Sequence, residues 1–177
     1  MNRKTLVGLF ILMAFAFLLS SCGGSGDPGA PGGSGSGESG CMILVTSVNP
    51  SNTLLDASDL TTSESVEVTL SSSDLPNRTG TCTGVTFTQY LVEYVPIPLT
   101  SGGPRLDNRT YQGTWFIDAN TEETFTLAFW DYFTKYQYRY PQDPNLYTYT
   151  VKFTLTGYNV FGKKVTVHFE FQVNTKL

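Results

Sequence analysis

The chain contains one histidine, His168, and nucleophilic catalysis requires a base beside the nucleophile. His168 falls among Thr166, Glu170 and Gln172, which alternate with valines and phenylalanines, so it is expected on the solvent face of a strand rather than in a catalytic centre. A carboxylate pair for acid–base work is present as Glu122-Glu123, but adjacent strand residues project to opposite faces and cannot share a substrate. Asp56 and Asp59 lie in a Ser/Thr-rich stretch where two uses are open, capping turns or contributing to a calcium site; the DxDxDG spacing is missing, which favours the turns. No CxxC, no Cys/His cluster, no GK[ST] and no GxSxG occurs, so no catalytic residue, metal site or cofactor is expected.

One aromatic cluster points to binding instead. Tyr132, Tyr136, Tyr138 and Tyr140, with Phe133, Lys135 and Arg139 among them, fall within nine residues. In an extended segment Tyr136, Tyr138 and Tyr140 share one face while Gln137 and Arg139 take the other. Such a row of rigid, amphipathic rings suits a surface for sugars or proteins. It suits still better a cover for an open end of a β-sandwich, or rings that cover one another, and both uses remain open at this level.

The N-terminal segment concerns location. Arg3 and Lys4 precede the apolar run Leu6 to Leu19, the charged region and apolar region of a secretory signal peptide. The residues Leu19-Ser20-Ser21-Cys22 resemble the lipobox of bacterial lipoproteins, an aliphatic residue and two small residues before a Cys that is lipidated and becomes N-terminal. The resemblance implies that residues 1–21 are removed and that Cys22 is acylated. At about 0.8 kcal/mol per buried CH₂, three acyl chains hold a protein on a membrane almost permanently. An uncleaved anchor is the alternative, but this run is shorter than the roughly 20 residues that span a bilayer. By the same resemblance Gly23, standing where an Asp would mark inner-membrane retention, implies the outer membrane.

With residues 1–21 gone, the eleven basic residues lose Arg3 and Lys4, leaving nine against fifteen acids and a formal charge of about −6. That balance disfavours nucleic acid and anionic lipid surfaces as partners. Once Cys22 is assigned to lipid, Cys41 and Cys82 form an even pair in an exported chain and are expected to be bonded. Closing a loop of about 40 residues stabilises a fold by roughly 4 kcal/mol on the chain-entropy model. Between Cys22 and Cys41, half of the residues 23–40 are Gly and four are Ser, the composition of a flexible tether with an r.m.s. reach of roughly 23 Å.

Past Cys41 the chain turns to short runs of Val, Thr, Phe and Tyr punctuated by Asn, Asp, Pro and Gly, with no convincing helical period. Strands are predicted at Met42 to Val48, Glu64 to Leu70, Val85 to about Val95, Thr114 to Ile117, Thr124 to Trp130, Tyr147 to Thr156 and Lys164 to Val173. The inward set of the third shifts from Val85 and Phe87 to Tyr90, Val92 and Tyr94, which predicts a bulge near Thr88-Gln89. The last two alternate almost without fault, placing Phe153 and Phe169 in the core and specifying register strongly.

The stretch Tyr147 to Val173, carried by Tyr149-Thr150-Val151 and the turn Asn159 to Gly162, resembles the closing hairpin of immunoglobulin-like, polycystic-kidney-type and fibronectin type III domains of bacterial surface proteins. Tyr90 with Val92-Glu93-Tyr94 is similar to the third strand of fibronectin type III domains. The whole resembles small single-domain lipoproteins of Gram-negative bacteria without an established activity. The resulting expectation is an all-β chain: signal peptide 1–21, lipidated Cys22 and tether 22–40, then an immunoglobulin-like antiparallel β-sandwich of about seven strands at 41–177. It is expected to act as a non-enzymatic protein-binding or structural module of the outer membrane, with an envelope protein or glycan as partner. The alternative is a carbohydrate-binding module using the aromatic platform Tyr132 to Tyr140.

Overall fold

In a computed structural model, which describes residues 40–75, 81–97, 103–139 and 146–176, the alternating runs become two facing sheets. Among the described residues the strands are β1 (Cys41–Pro50), β2 (Leu54–Asp56), β3 (Glu64–Asp74), β4 (Val85–Ile97), β5 (Arg109–Ile117), β6 (Glu122–Trp130), β7 (Tyr147–Asn159) and β8 (Lys164–Lys176), and a helix, α1 (Tyr132–Arg139), lies between β6 and β7. One sheet has the order β1-β3-β6 and the other β2-β8-β7-β4-β5. The sheet of β1, β3 and β6 thus faces the sheet of β2, β8, β7, β4 and β5 across one core, an all-β sandwich.

The closing hairpin shows why the register holds. Phe153 lies opposite Phe169, and their rings stack at 4.7 Å between centroids. Tyr90 of β4 stacks on Phe153 from the other side at 5.9 Å, and Phe129 of the facing sheet meets it edge-on at 6.3 Å. A slip by one residue would exchange this aromatic centre for Thr154 and His168. Around it Val66, Val68 and Leu70 of β3 and Leu127 of β6 pack against Val92, Val151, Leu155 and Val167 of the opposite sheet, all fully buried.

Several expectations need correction. Among the described residues the sandwich has eight strands, in keeping with the about seven expected; the added one is β2, three residues long and too short to display an alternation. It also breaks the antiparallel rule, pairing parallel to β8 through Leu54–Asn174 and Leu55–Thr175. Strand β1 runs through Asn49-Pro50, and β4 includes Pro96 and Ile97. The proline nitrogen costs little at either place, since β1 edges its sheet and β4 has no β5 partner beyond Val92. Strand β5 starts at Arg109, five residues earlier than expected; Thr110, Gln112, Gly113, Thr114 and Phe116 are all exposed on this edge, so no alternation marks it. The bulge falls as expected, between Phe87 and Gln89, in both ladders of β4. Gly157 sits opposite Phe87 there, where a Cβ would strike the backbone of Thr86 and Phe87.

The bond between Cys41 and Cys82 is present and joins the sheets, since Cys41 opens β1 and Cys82 lies just ahead of β4. Residues 1–39, on which the expected signal peptide, the lipidation of Cys22 and the expected tether fall, lie outside the described residues, as does Tyr140.

Candidate binding surface on helix α1

The largest departure from the sequence reading is the tyrosine row, which is a helix and not an extended piece. Asp131 starts it as an N-cap: one carboxylate oxygen accepts from the backbone N–H and the hydroxyl of Thr134, both at 2.9 Å, while its carbonyl accepts from the Lys135 N–H at 3.0 Å. The helical period then sorts the residues differently from the strand period. Thr134, Lys135 and Tyr138 face inward and are essentially unexposed. Tyr132, Phe133 and Tyr136 face outward, exposed by 50 %, 59 % and 51 %. Arg139 closes the helix.

The inner face is locked by polar and aromatic contacts. The Lys135 ammonium donates to the carbonyls of Asp59 and Thr62 at 2.6 and 2.7 Å and to the Thr62 hydroxyl at 2.9 Å, so a buried cation pins the helix to the loop between β2 and β3. Tyr138 meets Trp130, Tyr147 and Tyr149 edge-on at 5.8, 6.3 and 6.3 Å. From the β4–β5 connection the Asp107 carboxylate accepts from the Gln137 amide, whose oxygen accepts in turn from the Asp107 N–H.

The second carboxylate oxygen of Asp131 accepts from the Tyr111 hydroxyl at 2.9 Å and lies 3.6 Å from the Arg109 guanidinium. Burial works to raise the pKa of Asp131, but the Thr134 N–H, the two hydroxyls and Arg109 together outweigh it and hold the carboxyl below its ordinary range. Burial pushes the Tyr111 hydroxyl up, and the adjacent carboxylate adds to this. Burial likewise pushes Tyr90 up to about 12 and raises Tyr94, whose hydroxyl donates to the Phe129 carbonyl. These are structural phenols, protonated at any physiological pH.

The outer face is thus a small aromatic ridge on a fixed base. Tyr132 and Tyr136, one turn apart, lie nearly parallel at 6.3 Å, and Phe133 meets Tyr132 edge-on at 5.4 Å. The Arg109 guanidinium lies 4.8 Å over the Phe133 ring, so the same cation serves Asp131 and the ridge.

The structure therefore brings together two of the expected tyrosines, Tyr132 and Tyr136, and turns Tyr138 inward. Arg109, Asp131 and Asp107 were not anticipated; only the Asp131-x-x-Thr134 spacing, an N-cap signal, hinted at a helix.

The other chemistry-bearing residues lie apart. His168 is exposed on β8 with Nδ1 3.0 Å from the Thr154 hydroxyl. Glu122 accepts from the Thr46 hydroxyl at 2.9 Å. Asp56 and Asp59 each accept from the backbone N–H two residues on, at 2.8 Å, which is the turn-capping use. Hydrogen bonding by the Thr61 hydroxyl and N–H holds Asp59 below the ordinary carboxylate value, against a smaller opposing effect of desolvation. Among the described residues no three His, Cys, Asp or Glu side chains gather as a metal site would require. Comparison of the chain with family models, with curated proteins and with solved structures found no match.

Proposed function

We propose that the chain is an outer-membrane lipoprotein, anchored through Cys22, whose sandwich is a non-enzymatic binding module that presents the outer face of α1 to a protein of the envelope. The observation that carries this reading is the division of α1: three aromatic side chains stand in water while Lys135, Asp131 and Tyr138 fix the opposite face. Exposed rings on a rigid base bind with little loss of side-chain entropy, and aromatic residues beside an Arg are the usual anchors of protein interfaces. The anchor part of the reading is supported by Leu19-Ser20-Ser21-Cys22. Crosslinking and pull-down from intact envelopes, comparing the wild type with Tyr132→Ser/Phe133→Ser/Tyr136→Ser, tests the surface, and fatty-acid labelling of the wild type against Cys22→Ser tests the anchor.

A carbohydrate-binding module is the second reading, favoured by the near-parallel rings of Tyr132 and Tyr136, which tilt by only 17° relative to each other. A glycan array signal abolished in the same triple variant would select it over a protein partner.

A further inference from the structure

The opposite end of the sandwich carries apolar surface that the fold does not use. Cys41 is bonded to Cys82, and Val85, the first residue of β4, pairs with both Ile117 at the end of β5 and Asn159 at the end of β7. The β7–β8 turn therefore stands at the end where the chain enters the domain. Asn159 builds that turn: its Oδ1 accepts from the N–H groups of Phe161 and Lys163 at 3.0 and 2.9 Å, and its carbonyl accepts from the Gly162 N–H at 2.9 Å. Gly162 supplies the positive φ of 73° that closes it. None of these bonds involves the side chains of Val160 and Phe161, which are 69 % and 73 % exposed, the most exposed large apolar residues among those described. Tyr158 and Phe116, both cross-strand partners of Thr86, extend the apolar surface onto the outer face of the sheet. An Asn/Gly turn would fold as well with polar residues at 160 and 161, so their character needs a cause outside the fold.

We propose that this end rests on the lipid bilayer, with Val160 and Phe161 inserted at the interface. The proposal rests on the lipoprotein reading above. With Cys22 in the membrane, residues 23–40 lead directly to Cys41, so this is the end held near the surface. Gly40 has a φ of 76° and lies where a Cβ would strike the Thr81 carbonyl, so the start of the domain is seated against the residues just ahead of β4. A link of 18 residues keeps the tip at an effective concentration on the order of millimolar, so even weak partitioning is realised. Charge selects the lipid. Among the described residues, Asp74, Asp118, Glu122 and Glu123 lie at this end with Lys163 and Lys164, an acidic surplus that suits neutral rather than anionic headgroups.

The test uses the whole chain from residue 22 with Cys22→Ser, so that no acyl chain contributes. Flotation with phosphatidylcholine vesicles at millimolar lipid should show bound protein, and Val160→Ser/Phe161→Ser should lower the partition about tenfold or more at unchanged Tm. Added phosphatidylglycerol should weaken binding. No partition of the parent chain, or equal partition of the double variant, would overturn the proposal; fatty-acid labelling of Cys22 in the wild type would then leave the anchor itself standing. Absent labelling would remove the anchor and, with it, the proposed orientation.

Discussion

The two ends of the sandwich both hold aromatic side chains in water, but by different means. Where the chain enters, the scaffold is covalent and local: the Cys41–Cys82 bond, and Asn159 serving the backbone of its own turn. At the far end, α1 is held by charged groups that reach across the fold, Lys135 to Asp59 and Thr62, and Asp131 to Thr134, Tyr111 and Arg109. Neutral, local turns are indifferent to pH and tolerate change in their exposed side chains. A helix held by buried ionic hydrogen bonds is rigid while its partners are intact and loosens when one is removed. Rigidity that depends on so many distant residues suits a surface that must be presented in one shape.

Phe153 belongs to the core shared by both ends, so Phe153→Ala should cost roughly 3 to 5 kcal/mol and lower the whole transition in denaturant titration. Replacing Cys41 and Cys82 together by Ser should cost about 4 kcal/mol on the entropy model, and the loss should appear in chemical denaturation while the α1 amides keep their chemical shifts. Within the helix the row should divide: Tyr138→Ala is expected to cost about 3 kcal/mol and Tyr136→Ala no more than about 0.5 kcal/mol by thermal melting. Lys135→Met leaves the carbonyls of Asp59 and Thr62 without their donor, and a loss of about 2 kcal/mol, with faster hydrogen exchange along α1, is the expected result.

Acid should separate the ends most finely. The Asp131 carboxyl is held below its ordinary value of 3.8 in the folded state, so its contribution is fully present above that pH. It is lost as the pH falls below 3.8 and through the lower folded-state value. NMR of the Thr134 and Lys135 amides should therefore show the helix start loosening in that window, while the Asn159 turn stays unchanged. Simultaneous loss at both ends would mean that the cap is not an independent lock.

How much of this was legible follows from the same physics. The hairpin of β7 and β8 was readable because one face is buried along its length, and apolar residues occupy every second position from Tyr149 to Leu155 and from Val165 to Val173. Strand β2 was not, because three residues carry no period, and β5 was readable only in its last four residues, Thr114 to Ile117, because its exposed edge leaves the rest of the pattern unwritten. The helix was hidden by its own composition. Tyr136, Tyr138 and Tyr140 imitate a strand, and the inward position 135 holds a Lys whose acceptors lie more than 70 residues away. The candidate surface was therefore found as a segment but not as a face: Tyr132 and Tyr136 belong to it, whereas Tyr138 belongs to the core.

The most direct test of the central claim, that the outer face of α1 is a presented binding surface, measures Tm and partner capture on one preparation of Tyr132→Ser/Phe133→Ser/Tyr136→Ser. Tm should fall by no more than about 6 °C, because three exposed substitutions of at most about 0.5 kcal/mol each together cost about 1.5 kcal/mol, and the crosslinked envelope partner should be lost. A fall in Tm as large as that of Tyr138→Ala, or undiminished capture, would contradict it.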